Sequence, residues 1–268
     1  MSTAVVTRAA DALPAAERSG EPCPPVRSLL AEGDIDAAYG GQRVNVERGP
    51  AAGRRIAGRR TGLSSPAVRA QLGVGQPDFG TLFADTAVPD GGTVGAEGLL
   101  HPKAEAKVAV VLGADLPHRD CTVTDVIRAT DFALTALEIV DGRINGWDIT
   151  IVDAVADNAS SGLHVLGSTP VSLSDLDLRA VRMTMTRAGA ADPVSEGMGA
   201  DCLGSPLNAA ASLASNLAVA GDPLRAGDVI LAGVLGPMAV AAPGDRVEAR
   251  ISRLGRVSVR FAQKGDTA

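Results

Sequence analysis

Aromatic residues are scarce in this chain, with one Trp, one Tyr and four Phe among 268 residues. A core without ring anchors must be built from Val, Leu, Ile and Ala, and the stacking platforms that single-stranded nucleic acids need are missing. Acidic residues outnumber basic ones, 31 to 25, and the net charge of -6 gives no attraction to phosphate backbones or anionic membranes. The three cysteines, Cys23, Cys121 and Cys202, are odd in number and far apart, and only three histidines accompany them. Neither a disulfide framework nor a structural zinc site follows. A run of about 18 apolar residues is lacking, as is a basic-then-apolar leader pattern. No GxGxxG or P-loop spacing opens a helix after a strand, which argues against a nucleotide cofactor. The expectation is a cytoplasmic protein with no nucleic-acid or membrane partner.

What the chain does have is 46% hydrophobic residues and enough length for a sizeable core. Residues 1–18 read as a helix, broken by Glu21-Pro22-Cys23-Pro24-Pro25, and a second helix is expected over Asp36 to Glu47. A strand leaves the basic cluster of Arg54, Arg55, Arg59 and Arg60, and Gln76 to Gly80 has turn chemistry. A helix is expected from about Thr124 to Val140, with Glu138 in its last turn or just beyond. The helix dipole opposes a carboxylate there, so Glu138 calls for a cation or a metal. Trp147 to Val152 reads as a strand and Asp153 to Gly162 as a polar loop. Val181, Met183 and Met185 alternate with polar residues as in a half-buried strand, and Pro206 to Ala220 reads as a helix stopped by Gly221. Short strands fill the last third, ending in a hairpin that pairs Val247–Ile251 with Val257–Phe261. The pattern predicts an α+β fold on a curved, mixed sheet, with a small N-terminal lobe over residues 1–85, a β-roll over 86–262 and a tail over 263–268.

One stretch stands out. In His101-Pro102-Lys103-Ala104-Glu105-Ala106-Lys107, strand alternation turns Lys103, Glu105 and Lys107 to one face and the alanines to the other. A plus-minus-plus row leading into Val108–Leu112 suits either charges facing an enclosed site or an ordinary exposed edge whose lysines discourage strand pairing. His101 borders it.

Six short motifs, in this order, carry a resemblance: Gly62-Leu63-Ser64-Ser65, Gln76-Pro77-Asp78-Phe79-Gly80, Pro102-Lys103-Ala104-Glu105-Ala106, Ala136-Leu137-Glu138-Ile139-Val140-Asp141, Val155 to Gly162 and Leu235-Gly236-Pro237-Met238. Together they resemble the 2-keto-4-pentenoate hydratase / 4-oxalocrotonate decarboxylase family of the fumarylacetoacetate hydrolase superfamily. The resemblance implies a mixed β-roll or barrel with a small N-terminal α/β lobe, in a homo-oligomer. It also implies a lyase that adds water at C4 of a 2-oxo or 2-hydroxydienoate acid, with Mg2+ or Mn2+ held by three glutamates, a pair in a Glu-x-Glu strand motif and a third on the following helix. Glu105 matches the first of these and Glu138 the third. Lys107 stands where the second belongs and, while charged, cannot donate a lone pair.

Arg60 stands where the family pattern has lysine; it can grip a carboxylate but stays protonated. The resemblance makes Asp78 the acid/base candidate, makes Asn158 and Ser160 substrate-orienting residues, and makes Leu235 and Gly236 an apolar wall. The expected activity is hydratase-like enolate chemistry without a metal, with Asp78, Lys107, Arg60, Glu105 and Glu138 in the site; Glu105 and Glu138 would hold any Mg2+ or Mn2+ that does bind. The alternatives are a metal-independent isomerase, dehydratase or cyclase of a biosynthetic pathway, or a non-catalytic partner subunit.

Overall fold

The computed structural model describes residues 3–31, 33–63, 77–95 and 98–263. Helices α1 (Thr3–Ser19) and α2 (Ile35–Ala51) open the chain, and the Asp34 side chain caps α2 by accepting from the Ala37 N–H at 2.9 Å. Strands β1 (Ile56–Gly62), β2 (Asp78–Phe83), β3 (Ala87–Val88), β4 (Thr93–Val94) and β5 (Pro102–Leu112) follow. The middle holds α3 (Val123–Ala129), β6 (Thr130–Asp141), α4 (Ile151–Ala156), β7 (Ser161–Leu166), β8 (Arg182–Arg187) and β9 (Ser195–Met198). Helix α5 (Pro206–Val219) precedes β10 (Val229–Ala232), β11 (Ala239–Val240) and the hairpin of β12 (Arg246–Ile251) with β13 (Gly255–Phe261).

Eight strands form one mixed sheet in the order β2-β1-β10-β5-β6-β7-β3, with β11 also on β5; a second sheet runs β4-β13-β12-β8-β9. This is the α+β architecture that was expected. Strands β1 and β2, which precede residue 85, are hydrogen-bonded into the larger sheet. The helices α1, α2 and α4 gather a small core of their own around Leu13, Ala38, Val152 and Val155.

Three local expectations are corrected. The helix expected over Thr124–Val140 ends at Ala129, and Thr130–Asp141 is a twelve-residue strand. Its Ala, Leu and Glu residues favour a helix, but β5 and β7 pair with it on both sides and bury it from Ala133 to Asp141, so tertiary context overrides propensity. The strand expected over Trp147–Val152 and the loop after it are instead a short 3-10 turn and α4. There the Asp153 carboxylate accepts both the Thr150 N–H (2.9 Å) and its hydroxyl (3.0 Å), a helix-start signal that Thr-x-x-Asp encodes. Of the expected turn at Gln76–Gly80, residues 78–80 begin β2; Gln76, like Ser64 and Ser65, lies outside the described residues.

The two faces of β5 differ as the alternation requires. Ala104, Ala106, Val108 and Val110 enter the core between the sheets, against residues such as Val247 and Val259 of the hairpin. The opposite face lies inside the curl of the larger sheet, where Leu82, Ala109, Leu134, Ala136 and Leu231 form an apolar floor. Strand β10 pairs with β5 over Val108–Val111 and β11 over Lys103–Ala104. Between them the chain at 233–238 leaves the sheet, so among the described residues no strand pairs with Glu105–Lys107 on this side. The break opens a seam in the sheet beside the charged row.

Candidate functional site

Antiparallel register sets Glu105 of β5 directly opposite Glu138 of β6, and both carboxylates face into the curl. Glu138 therefore reaches the site from mid-strand, not from a helix end. Left alone, two such buried carboxylates would repel. Lys107 lies between them, fully buried, with its Nζ 2.7 Å from Glu105 Oε2 and 3.3 Å from Glu138 Oε2. Across the seam the same Nζ donates to the Thr61 carbonyl of β1 at 3.0 Å. Arg60, also on β1, pairs its Nε with Glu138 and sets its Nη2 3.9 Å from Glu105. Its Nη1 donates to the Ala159 carbonyl.

That carbonyl is aimed by an unusual turn. Asn158, Ala159 and Ser160 all adopt left-handed backbone conformations, with φ of 54°, 55° and 53°. Non-glycine residues pay for that region in strain, and here it is held by side-chain bonds. Asn158 clips both polar groups of Thr81, accepting its N–H at 2.7 Å and donating to its carbonyl at 2.9 Å. Ser160 donates to Asp157 at 3.1 Å. The turn can lie this close because β2 carries Gly80, where a Cβ would come within 2.5 Å of the Asn158 carbonyl.

Asp78 sits on the same inner face, paired in register with Gly62; a Cβ at Gly62 would come within 2.3 Å of its Oδ1. Among the described residues that oxygen has no hydrogen-bond partner, and Glu138 makes its ion pairs without a well-aligned hydrogen bond. Burial raises the proton affinity of Asp78, and Arg60 and Lys107 only partly oppose this. Burial raises that of Glu105 as well, against Lys107. Burial works against the charge of Arg60, but Glu138, Asp78 and Glu105 outweigh it and hold the guanidinium firmly protonated.

The structure thus brings Arg60, Asp78, Glu105, Lys107 and Glu138 together, with the Asn158–Ser160 turn as support. Leu235 lies instead in the core between the sheets, and Gly236 is pressed against Met183, Ser195 and the Glu196 carbonyl. His101 turns to the Gly142 carbonyl at 3.3 Å, and Lys103 stacks over Trp147 at 3.8 Å, outside the cluster. Arg54 pairs with Asp85 and Arg59 with Asp222, so among the arginines of that basic cluster Arg60 is the member in the site. Sequence reasoning missed the carbonyls of Thr61 and Ala159, and it missed His164, which lies opposite Glu138 in register. The His164 Nδ1 is 3.3 Å from the Thr86 hydroxyl, and burial lowers its affinity for a second proton, with Glu138 opposing. Register alone joins these groups, and no spacing within one segment signals them.

A mixed, curled sheet joined to a small helical cluster is an architecture shared with known enzymes. The family described as fumarylacetoacetate (FAA) hydrolase, C-terminal, matches residues 62–262, and the chain belongs to this family, on its 2-keto-4-pentenoate hydratase branch. The chain is 53% identical to the TodF product hydratase of Pseudomonas putida, over 97% of each chain. It is also 53% identical to 2-keto-4-pentenoate hydratase 1 of Dechloromonas aromatica, over 95% of this chain and 96% of that one. Among solved structures, 4-oxalocrotonate decarboxylase from Pseudomonas putida G7, complexed with magnesium and adipate, superposes with a TM-score of 0.92 at 36% identity, covering 97% of this chain and 98% of that one.

The residues present here do not fit a divalent metal. Lys107 puts an amine between the two carboxylates a metal would need, and Arg60 takes up Glu138 from the other side. Among the described residues no group of three or more His, Cys, Asp or Glu side chains is placed to hold an ion. A hard cation wants oxygen ligands, and a lysine and an arginine among them replace ligands with like charge.

Proposed function

We propose that this chain is a hydratase of a 2-oxo or 2-hydroxydienoate acid in which Lys107 and Arg60 supply the positive charge otherwise expected of a metal. One observation carries the reading: the Lys107 Nζ bridges Glu105 and Glu138 at 2.7 and 3.3 Å, in a chain whose relatives are hydratases. Arg60 and Lys107 draw the substrate's carboxylate and 2-oxo oxygen toward them and stabilise enolate charge as it develops. Asp78, kept receptive to a proton by burial, exchanges protons with the substrate carbon skeleton while water adds at C4. Asn158 and Ser160 hold the turn against which Arg60 is set. The protein is taken to act as a homo-oligomer in the cytoplasm, with residues 1–85 as its N-terminal lobe.

The test is hydration of 2-hydroxypenta-2,4-dienoate by protein stripped with chelator. Turnover that is unchanged by chelator and by added Mg2+ or Mn2+ is expected; an absolute requirement for either ion overturns the metal-free reading. Lys107→Glu should gain Mg2+ binding by titration calorimetry. The complete burial of Lys107 and Glu138 favours a second reading, a partner subunit whose ion cluster only replaces a lost site. A chain that neither binds nor turns over any dienoate alone but assembles with an intact homologue would decide for that reading. Binding without hydration would favour a recruited isomerase, dehydratase or cyclase.

A further inference from the structure

Of the 25 basic residues in the chain only three are lysines, Lys103, Lys107 and Lys264. Arginine serves at every other basic position, including Arg60 inside the site. Where only a buried positive charge is needed, a guanidinium offers more hydrogen bonds than an ammonium and keeps its proton. Lysine differs in that it can release its proton and become a nucleophile. At Lys107 the amine is fixed between oxygens at 2.7, 3.0 and 3.3 Å, and the nearest belongs to a carboxylate able to take that proton. Nucleophile and base are thus within hydrogen-bond reach, and the base is held in turn by its place beside Arg60.

We infer that Lys107 is a covalent catalyst, forming an iminium with C2 of the 2-oxo acid and so activating C4 toward water. The inference rests on the proposed hydratase reading and specifies its chemistry. The Lys107 ammonium gives one proton to Glu105, and the free amine attacks C2. Asp78, as its carboxylate, takes a proton from the nitrogen and passes it to the former carbonyl oxygen, leaving a carbinolamine and an Asp78 still free to accept a proton. Its hydroxyl departs as water with the proton held by Glu105, and the C2=N bond forms. In sum an ammonium and a ketone become an iminium and water. The nitrogen keeps its positive charge, so its pairing with Glu105 survives the step.

Conjugation with C3=C4 then makes C4 electron-poor. Water forms its bond to C4 and loses a proton to Asp78, and the C3=C4 electrons move to make an enamine. Protonation at C3 restores the iminium, and hydrolysis releases the 4-hydroxy-2-oxo acid with Lys107 regenerated. The iminium serves as the electron sink, and Glu105 and Asp78 have defined proton duties.

The test is reductive trapping. The full-length protein is incubated with pyruvate, a saturated 2-oxo acid that can form the iminium but cannot be hydrated, then reduced with borohydride and mapped by mass spectrometry. One reduced pyruvyl group per chain is expected on Lys107, and none on Lys103 or Lys264. Lys107→Arg keeps the charge but forms no iminium, so hydration of 2-oxopent-3-enoate should fall by about 1000-fold or more. Absence of an adduct on Lys107 in a protein that hydrates the dienoate overturns the covalent role and leaves the hydratase reading standing. An adduct in a protein that hydrates nothing supports the covalent role and overturns the hydratase reading. Loss of both overturns both. Should Lys107→Arg fail to fold, trapping on the unaltered chain still decides.

Discussion

Two buried ion clusters lie on either side of the Asn158–Ser160 turn, and they are built differently. In the first, Asp157 accepts the Arg143 N–H at 3.1 Å and the Ser160 hydroxyl at 3.1 Å, with the Arg143 guanidinium 3.6 Å away. Arg143 in turn donates to the Asp141 carbonyl at 3.0 Å and reaches Glu17 at 3.5 Å near the surface. This network closes on itself and ties strand to helix. In the second, Asp78 Oδ1 and both Glu138 oxygens lack an aligned hydrogen bond, although two cations stand beside them. Buried polar groups left incompletely satisfied are costly, and a protein retains them where the spare capacity is used. The comparison separates a cluster whose hydrogen bonds are closed from one that keeps spare hydrogen-bonding capacity.

The comparison breaks most severely at Lys107. Lys107→Ala leaves Glu105 and Glu138 facing each other without their common cation, and should cost about 3–5 kcal/mol in urea unfolding and nearly all turnover. Glu138→Gln is milder: it keeps the shape but removes the charge held by Arg60 and Lys107, for about 2–3 kcal/mol and a fall in kcat of about 100-fold. The Asp157 cluster should respond to pH instead. Burial raises the Asp157 carboxyl to about 6, above its ordinary value of 3.8. The native state then holds a proton that the unfolded chain has lost, so this group's contribution is present at low pH and disappears as pH rises through about 6. Its magnitude is about 3 kcal/mol. Asp157→Asn should remove this slope from stability measured between about pH 4 and pH 6. The smallest effect is expected for Ser160→Ala, about 1 kcal/mol by thermal unfolding, with kcat/KM reduced by less than tenfold.

Much of this architecture is written in local patterns. Both N-terminal helices, α5 with its N-terminal Pro206, and the closing hairpin follow periodicity and turn chemistry, as does the segregation of Glu105 and Lys107 from the neighbouring alanines. The segment Thr130–Asp141 is different, because a strand buried on both faces shows no alternation and its composition imitates a helix. The site depends on that segment. Glu138 could be recognised by resemblance, but its place opposite Glu105 follows from strand register, which no local pattern encodes. The Thr61 and Ala159 carbonyls are backbone groups, whose role depends on conformation and leaves no trace in residue identity.

The seam between β10 and β11 has an evolutionary consequence. Among the described residues no strand pairs with Glu105–Lys107 on that side, so an exchange at position 107 disturbs no backbone ladder there, though the new side chain must still fill a fully buried place beside the Thr61 carbonyl. Strand β6 pairs along all of β5 and holds the scaffold constant, while this short window is laddered on that one side alone. On the proposed role of Lys107, the fold offers a position where one residue redirects the chemistry and leaves the strand ladder intact, a route by which a lineage acquires a new catalytic strategy in a single step.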